Sequence, residues 1–307
     1  NQRVTAVSGL SIGVNTFRWT ILNGPCTPPT TQDEMTITVF DQNSPNANAG
    51  ANQQLCATST NLTGNAPTPP ATGLWTLVSG TGTFTTPNSP TSAVTGLSLG
   101  TNVFQWTLYN GPCANGVTTS QVSVVRFDGN SPVPNAGPDQ DLCTASASTF
   151  ASTTLAGNLM PSPAIGTWTL VGGGGIITGP NNAATTVTSL PVGVNTFRWT
   201  VANGPCTPTV NTDDVVIRVF DRNAPVASAG PDQEVCAPVA NVTLAGNAPT
   251  APATGIWTVI SGAGVFADAT VRNTTVSGML IGNNVYRWTI SNGPCPNGIT
   301  FDEVTIR

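Results

Sequence analysis

The sequence predicts an all-β protein built as a tandem array of small β-sandwich domains, and three observations carry that prediction. The ten residues FRWTVANGPC, from Phe197 to Cys206, recur almost unchanged from Phe17, Phe104 and Tyr286. Apolar residues in and around these copies alternate with polar ones at period two, as in half-buried antiparallel strands. Segments rich in Gly, Pro, Asn and Ser punctuate the strands at roughly ten-residue intervals, and no stretch holds a helical period, which is the pattern of sandwiches of short strands.

The copies set the register. Trp19, Trp106, Trp199 and Trp288 are separated by 87, 93 and 89 residues, and Cys26, Cys113, Cys206 and Cys295 follow them by seven. Cys56, Cys143 and Cys236 each lie 30 residues after the preceding NGPC cysteine, and a second tryptophan (Trp75, Trp168, Trp257) stands 31 residues before the next FRW tryptophan. Length varies only between the 30-offset cysteine and that second tryptophan, with gaps of 19, 25 and 21. This variable stretch is a surface loop with its flanks. The domains are then 1–43, the C-terminal half of a sandwich repeat; 44–130; 131–223; and 224–307, whose last strand is truncated. About 90 residues suffice for one core. Asn1 aligns with the middle of the later repeats and Arg307 with the interior of their last strand, so the sequence reads as a window on a longer tandem protein.

Within each repeat the strands follow from alternation. In TFRWTV the residues Phe197, Trp199 and Val201 share one face, and Thr196, Arg198 and Thr200 the other. DEMTITVF turns Met35, Ile37 and Val39 inward, and GTWTLV places Trp168 and Leu170 together. About seven strands per repeat in two packed sheets are expected. The inward face makes Trp19, Trp75, Trp106, Trp168, Trp199, Trp257 and Trp288 core residues, since large aromatics supply most of a small sandwich's buried area. Arg18, Arg198 and Arg287 project from the opposite face as solvated, cross-strand-paired charges, and Gln105 at the same place shows that the charge is dispensable. Gly172–Gly175 lie between strands with no helix following, so they are no phosphate cradle.

Composition bounds the environment. Charged residues are 7% of the chain, all nine basic residues are arginine, and histidine is absent. A surface of Thr, Ser, Asn and Gly with a net charge of -5 offers no basic patch to phosphate backbones, which argues against nucleic acid as a partner. No apolar run approaches the roughly 20 residues of a membrane span.

Seven cysteines at two positions of the repeat indicate disulfides and an oxidising, extracellular setting. Zinc fits poorly, with no CxxC pair and no histidine. Two pairing schemes arise. Within repeats the bridges are Cys56–Cys113, Cys143–Cys206 and Cys236–Cys295, leaving Cys26 with a partner lost upstream. Between repeats they are Cys26–Cys56, Cys113–Cys143 and Cys206–Cys236, leaving Cys295. The final strand carries the chain about 25 Å from the NGPC turn at ~3.3 Å per residue, against the ~6 Å between bridged α-carbons. That distance favours the within-repeat scheme, in which each bridge contributes roughly 4 kcal/mol by closing a loop of about 60 residues.

One composite pattern runs through the chain: AGPDQ at Ala229–Gln233, TLAGN at Thr243–Asn247, IWTVISGAGVF at Ile256–Phe266 and NGPC at Asn292–Cys295. It resembles the PKD-like, immunoglobulin-like tandem repeats of very large surface proteins from gliding-type Bacteroidota, over the whole length. Repeat two departs from it, with AGANQ at Ala49–Gln53. The resemblance implies immunoglobulin-like sandwiches in a stalk on an exported cell-surface adhesin or filament, sent out by the type IX route, and it names no ligand.

Residues of types able to carry chemistry have structural readings beside them. Asp41, Asp128 and Asp221 in FD-x-N-x-P, with Asp139 and Asp232 downstream, are weak calcium candidates. Calcium needs six to eight oxygens, and Asx turns beside proline explain the same residues, so no metal is expected. Asn61, Asn241 and Asn273 open N-x-T sequons, which in the bacterial protein that the resemblance implies are not expected to carry N-glycans. No catalytic residue is expected: histidine is absent, the cysteines are committed, and no carboxylate pair or nucleophile with a base recurs. No cofactor is expected either. The expected function is a structural stalk or fibre, with neighbouring repeats and other copies in a filament as partners, extended as a semi-rigid rod by short proline-bearing linkers. The alternative is a binding array in which the variable loops meet a surface glycan or protein.

Overall fold

The computed structural model describes residues 4–129, 133–144, 148–207, 210–236 and 241–307, and in them the chain is an array of immunoglobulin-like β-sandwiches with strands and turns alone. Parts of two variable loops, at 145–147 and 237–240, lie outside the described residues. Residues 1–43 contribute a hairpin of β1 (Gly13–Leu22) and β2 (Thr30–Val39). Residues 44–130 form β3 (Gln53–Leu55), β4 (Ser59–Thr63), β5 (Thr72–Ser79), β6 (Thr83–Phe84), β7 (Thr91–Thr95), β8 (Gly100–Tyr109) and β9 (Val117–Arg126). Residues 131–223 repeat the order as β10 (Gln140–Cys143), β11 (Phe150–Thr154), β12 (Ile165–Gly172), β13 (Ile176–Ile177), β14 (Thr186–Pro191), β15 (Gly193–Ala202) and β16 (Val210–Phe220). Residues 224–307 carry β17 (Asn241–Thr243), β18 (Thr254–Ser261), β19 (Val265–Phe266), β20 (Thr275–Ser277), β21 (Asn284–Ser291) and β22 (Ile299–Ile306), with a parallel bridge from Gln233 to Ile306 in place of the first strand.

Each full repeat pairs two sheets, β3-β9-β8-β5 with β4-β7-β6, and β10-β16-β15-β12 with β11-β14-β13. The first strand runs parallel to the last of its own repeat, Gln53 to Leu55 opposite Val124 to Arg126 and Gln140 to Cys143 opposite Ile217 to Phe220. An acceptor at the strand's entry fixes this register. Asn52, Asp139 and Asp232 each take the backbone N–H of the last strand through a side-chain Oδ1, from Ser123 at 2.9 Å, Val216 at 2.9 Å and Thr305 at 2.8 Å. Asparagine serves where the other copies have aspartate because the position requires an acceptor and no charge.

The core is a pair of tryptophans per repeat. Trp75 lies opposite Trp106, Trp168 opposite Trp199 and Trp257 opposite Trp288, with ring centroids 5.0, 5.0 and 5.1 Å apart. All six are buried. Glycine precedes the first of each pair for a steric reason: a Cβ at Gly73, Gly166 or Gly255 would lie 2.2, 2.0 or 2.2 Å from the second indole. The indole N–H groups of five reach backbone carbonyls, for example Trp106 to Asn65 at 3.1 Å and Trp288 to Asn247 at 3.2 Å, while that of Trp199 has no partner. Trp19 differs. The hairpin β1–β2 leaves it half exposed, with Ile21 and Met35 beside it.

On the opposite face the arginines stand across from acids: Arg18 from Glu34, Arg198 from Asp214 and Arg287 from Glu303. In repeat two both partners change together, and Gln121 donates to Gln105 at 3.1 Å. Gly172 ends β12 and Gly173–Gly175 connect it to β13; Gly173, at φ 81°, packs against Asn195, and the Gly174 N–H donates to Asn195 Oδ1 at 2.9 Å.

By its contacts the chain divides into two compact units. The first is Asn1–Ser131 with Pro161–Ala164 and Asn203–Thr209, and the second is Pro132–Met160, Ile165–Ala202 and Val210–Arg307. The NGPC turn of the third repeat thus belongs with the first unit.

Candidate functional site

The NGPC turn is built locally. Cys26, Cys206 and Cys295 donate their N–H to the carbonyl of the asparagine three residues earlier, at 3.2, 3.2 and 3.4 Å, closing a β-turn. Glycine holds the first central position with φ of 60, 58, 54 and 55° at Gly24, Gly111, Gly204 and Gly293. A left-handed residue there followed by proline matches a type II′ turn, where proline's fixed φ suits the second central position.

A second constraint comes from the preceding repeat. A Cβ on Gly111 would lie 2.5 Å from Cε2 of Phe40, on Gly204 2.5 Å from Phe127, and on Gly293 2.6 Å from Phe220. The phenyl ring that ends one repeat therefore rests on the bare glycine of the next. The asparagine completes the contact: Nδ2 of Asn110, Asn203 and Asn292 donates to the carbonyls of Asp41, Asp128 and Asp221 at 2.8, 2.7 and 2.8 Å. Asp41 and Asp221 present those carbonyls from Asx turns, each accepting at Oδ1 the N–H two residues on, at 2.9 Å. All three asparagines are buried, and their Oδ1 atoms have no protein partner.

The cysteine closes the joint covalently. Cys56 is bonded to Cys206 and Cys143 to Cys295, with α-carbons 5.4 and 5.1 Å apart and sequence separations of 150 and 152. Neither expected scheme forms among the described residues: Cys56–Cys113, Cys143–Cys206 and Cys236–Cys295 are not bridged, nor are Cys26–Cys56, Cys113–Cys143 and Cys206–Cys236. Cys26, Cys113 and Cys236 are free thiols. The parallel first strand is the physical reason. With Leu55 opposite Arg126, and the Phe127 N–H donating to the Leu55 carbonyl at 2.8 Å, Cys56 comes level with the exit of β9. Cys113 precedes the entry of β9, ten residues or about 30 Å away at a strand's rise. The same exit is where Phe127 and Asp128 meet the turn that holds Cys206.

The calcium candidates have other work. Asp221 closes its Asx turn, and Asp139 and Asp232 accept the N–H of Val216 and Thr305 within the last strand. Asp128 presents its carbonyl to Asn203. Among the described residues no three His, Cys, Asp or Glu side chains gather as metal ligands, and no helix is long and apolar enough to cross a membrane.

Sequence reasoning took NGPC for a turn and a cysteine. It missed the seat for the neighbouring phenylalanine, although Phe40, Phe127 and Phe220 stand at matching positions directly before the linker aspartates.

No family model matches the chain, and no curated protein does. Among solved structures it is similar to the I-band fragment I67-I69 of titin, at 10% identity and a TM-score of 0.43 over 86% of this chain and 98% of that one. It is also similar to the PKD domain from the KIAA 1837 protein, at 27% identity and a TM-score of 0.24 over 32% of this chain and 92% of that one. A SusE-like surface-located polysaccharide-binding protein of Bacteroides thetaiotaomicron matches at 9% identity and a TM-score of 0.27, over 89% and 62%.

Proposed function

We propose that this chain is a structural repeat segment, a stalk or fibre, of a secreted bacterial cell-surface adhesin or filament that holds a binding region away from the cell. The joint carries this reading. The most strictly repeated motif in the sequence seats the phenylalanine, the linker carbonyl and, where its partner is present, the cysteine of the preceding repeat. Disulfides at the joints fit an extracellular, oxidising setting. The resemblance of the repeats to those of gliding-type Bacteroidota supports the type IX route and a cell-surface place.

Burial of the six paired tryptophans leaves none of these rings open to stack on a sugar. Small-angle scattering tests the proposal on chains of two, three and four repeats. The longest dimension should grow by a constant step per repeat, and a particle that gains volume without gaining length would refute the stalk.

A further inference from the structure

We propose that the interleaved disulfides give the array a second covalent backbone, so that no single break of the polypeptide between Cys56 and Cys295 separates its ends. The argument is one of connectivity. The Cys56–Cys206 bond closes one loop and Cys143–Cys295 another, and the two loops overlap between Cys143 and Cys206. A break between Cys56 and Cys143 leaves the pieces joined through Cys206. A break between Cys206 and Cys295 leaves them joined through Cys143, and a break in the overlap leaves both bonds in place.

Bridges confined to single repeats would not do this. They would leave the linkers from Cys113 to Cys143 and from Cys206 to Cys236 uncovered, and these hold the exposed turns around Gly129 and Asn223, the kind of segment proteases reach first. The staples therefore cover both of these linkers. They also set its reach under load: the shortest covalent route from Cys56 to Cys295 is 87 residues by way of Cys143, or about 310 Å at full extension, against about 840 Å for the unbridged backbone. The free thiols obey the same rule. Pairing a 30-offset cysteine with the NGPC cysteine some 150 residues later leaves Cys26, Cys113 and Cys236 as the three without a match between residues 1 and 307.

The test is a single cut. A recognition sequence for a site-specific protease is inserted between Arg222 and Asn223 of the full chain, and the cleaved protein is denatured in detergent with its free thiols blocked. Without reductant the two pieces should migrate as one species of the intact mass, and with reductant as two. The same insertion combined with Cys295→Ser should give two pieces without reductant. Limited trypsin treatment of the unaltered chain supplies a second reading, free of any effect of the insertion on folding. Chains nicked once between Cys56 and Cys295 should run at intact mass in a non-reducing first dimension and separate in a reducing second one. Release of either piece of such a singly nicked chain without reductant would overturn the proposal. It rests on the pairing and not on the adhesive role, so failure here leaves the scattering test standing, and the reverse also holds.

Discussion

Replacing Gly293 by alanine probes the joint at its tightest point. The new Cβ would meet the Phe220 ring at 2.6 Å, and the residue would have to hold φ near 55°. A left-handed conformation costs an alanine about 1–2 kcal/mol. Displacing a ring that is 6% exposed forfeits part of the ~1.5–3 kcal/mol that burying a phenylalanine provides. Together the docked joint loses about 2–4 kcal/mol, which raises its open population by a factor of roughly 30 to 1,000. The Arg222–Asn223 bond lies in the linker that opens, and cleavage that proceeds from an open state follows that population. Trypsin should therefore cut there at least tenfold faster in Gly293→Ala. Equal cleavage rates in the two proteins would mean that the phenyl ring does not depend on the glycine, and the account of NGPC as a seat would fall.

Trp199→Ala should cost about 3–5 kcal/mol in chemical denaturation, the range for removing a large buried aromatic, and an unchanged midpoint would show that the ring is not in the core. Asp139→Asn should leave stability within about 0.5 kcal/mol of the parent, since asparagine already fills this place at Asn52, and added calcium should shift neither protein's midpoint; a calcium-dependent gap would revive the metal site. The hydrogen bond from Arg198 holds the Asp214 carboxyl below its usual range. Its contribution is thus fully present above the unfolded value near pH 4 and is lost as pH falls through the lower folded value. A double-mutant cycle with Arg198→Gln and Asp214→Gln should show coupling at pH 7 that vanishes in acid, and coupling that persisted there would contradict the pair.

Much of the fold was legible because it repeats at short range. Strand alternation around Trp106 and Trp199 identified the inward face, and the exchange of Arg198 for Gln105 marked the outer face as one that tolerates loss of charge. The cysteine pairing was not legible. It depends on β3 and β10, strands of three and four residues whose ladder partner lies some 70 residues away, so no local period signals their direction. The reasoning that the last strand carries the chain far from the NGPC turn was sound, but it overlooked that a parallel first strand brings Cys56 to the far end as well. Trp19 was read as core from the inward face of its strand, and burial depends on further strands that the β1–β2 hairpin lacks.

The most direct measurement is a disulfide map of the folded chain with its free thiols blocked, digested by trypsin without reductant. Cleavage after the arginines places Cys26, Cys56 and Cys113 in fragment 19–126, Cys143 in 127–198, Cys206 in 199–218, Cys236 in 223–272 and Cys295 in 288–307. The structure predicts 19–126 joined to 199–218 and 127–198 joined to 288–307. Fragment 127–198 joined to 199–218, with 223–272 joined to 288–307, would place the bridges inside the repeats and contradict the stapled joint.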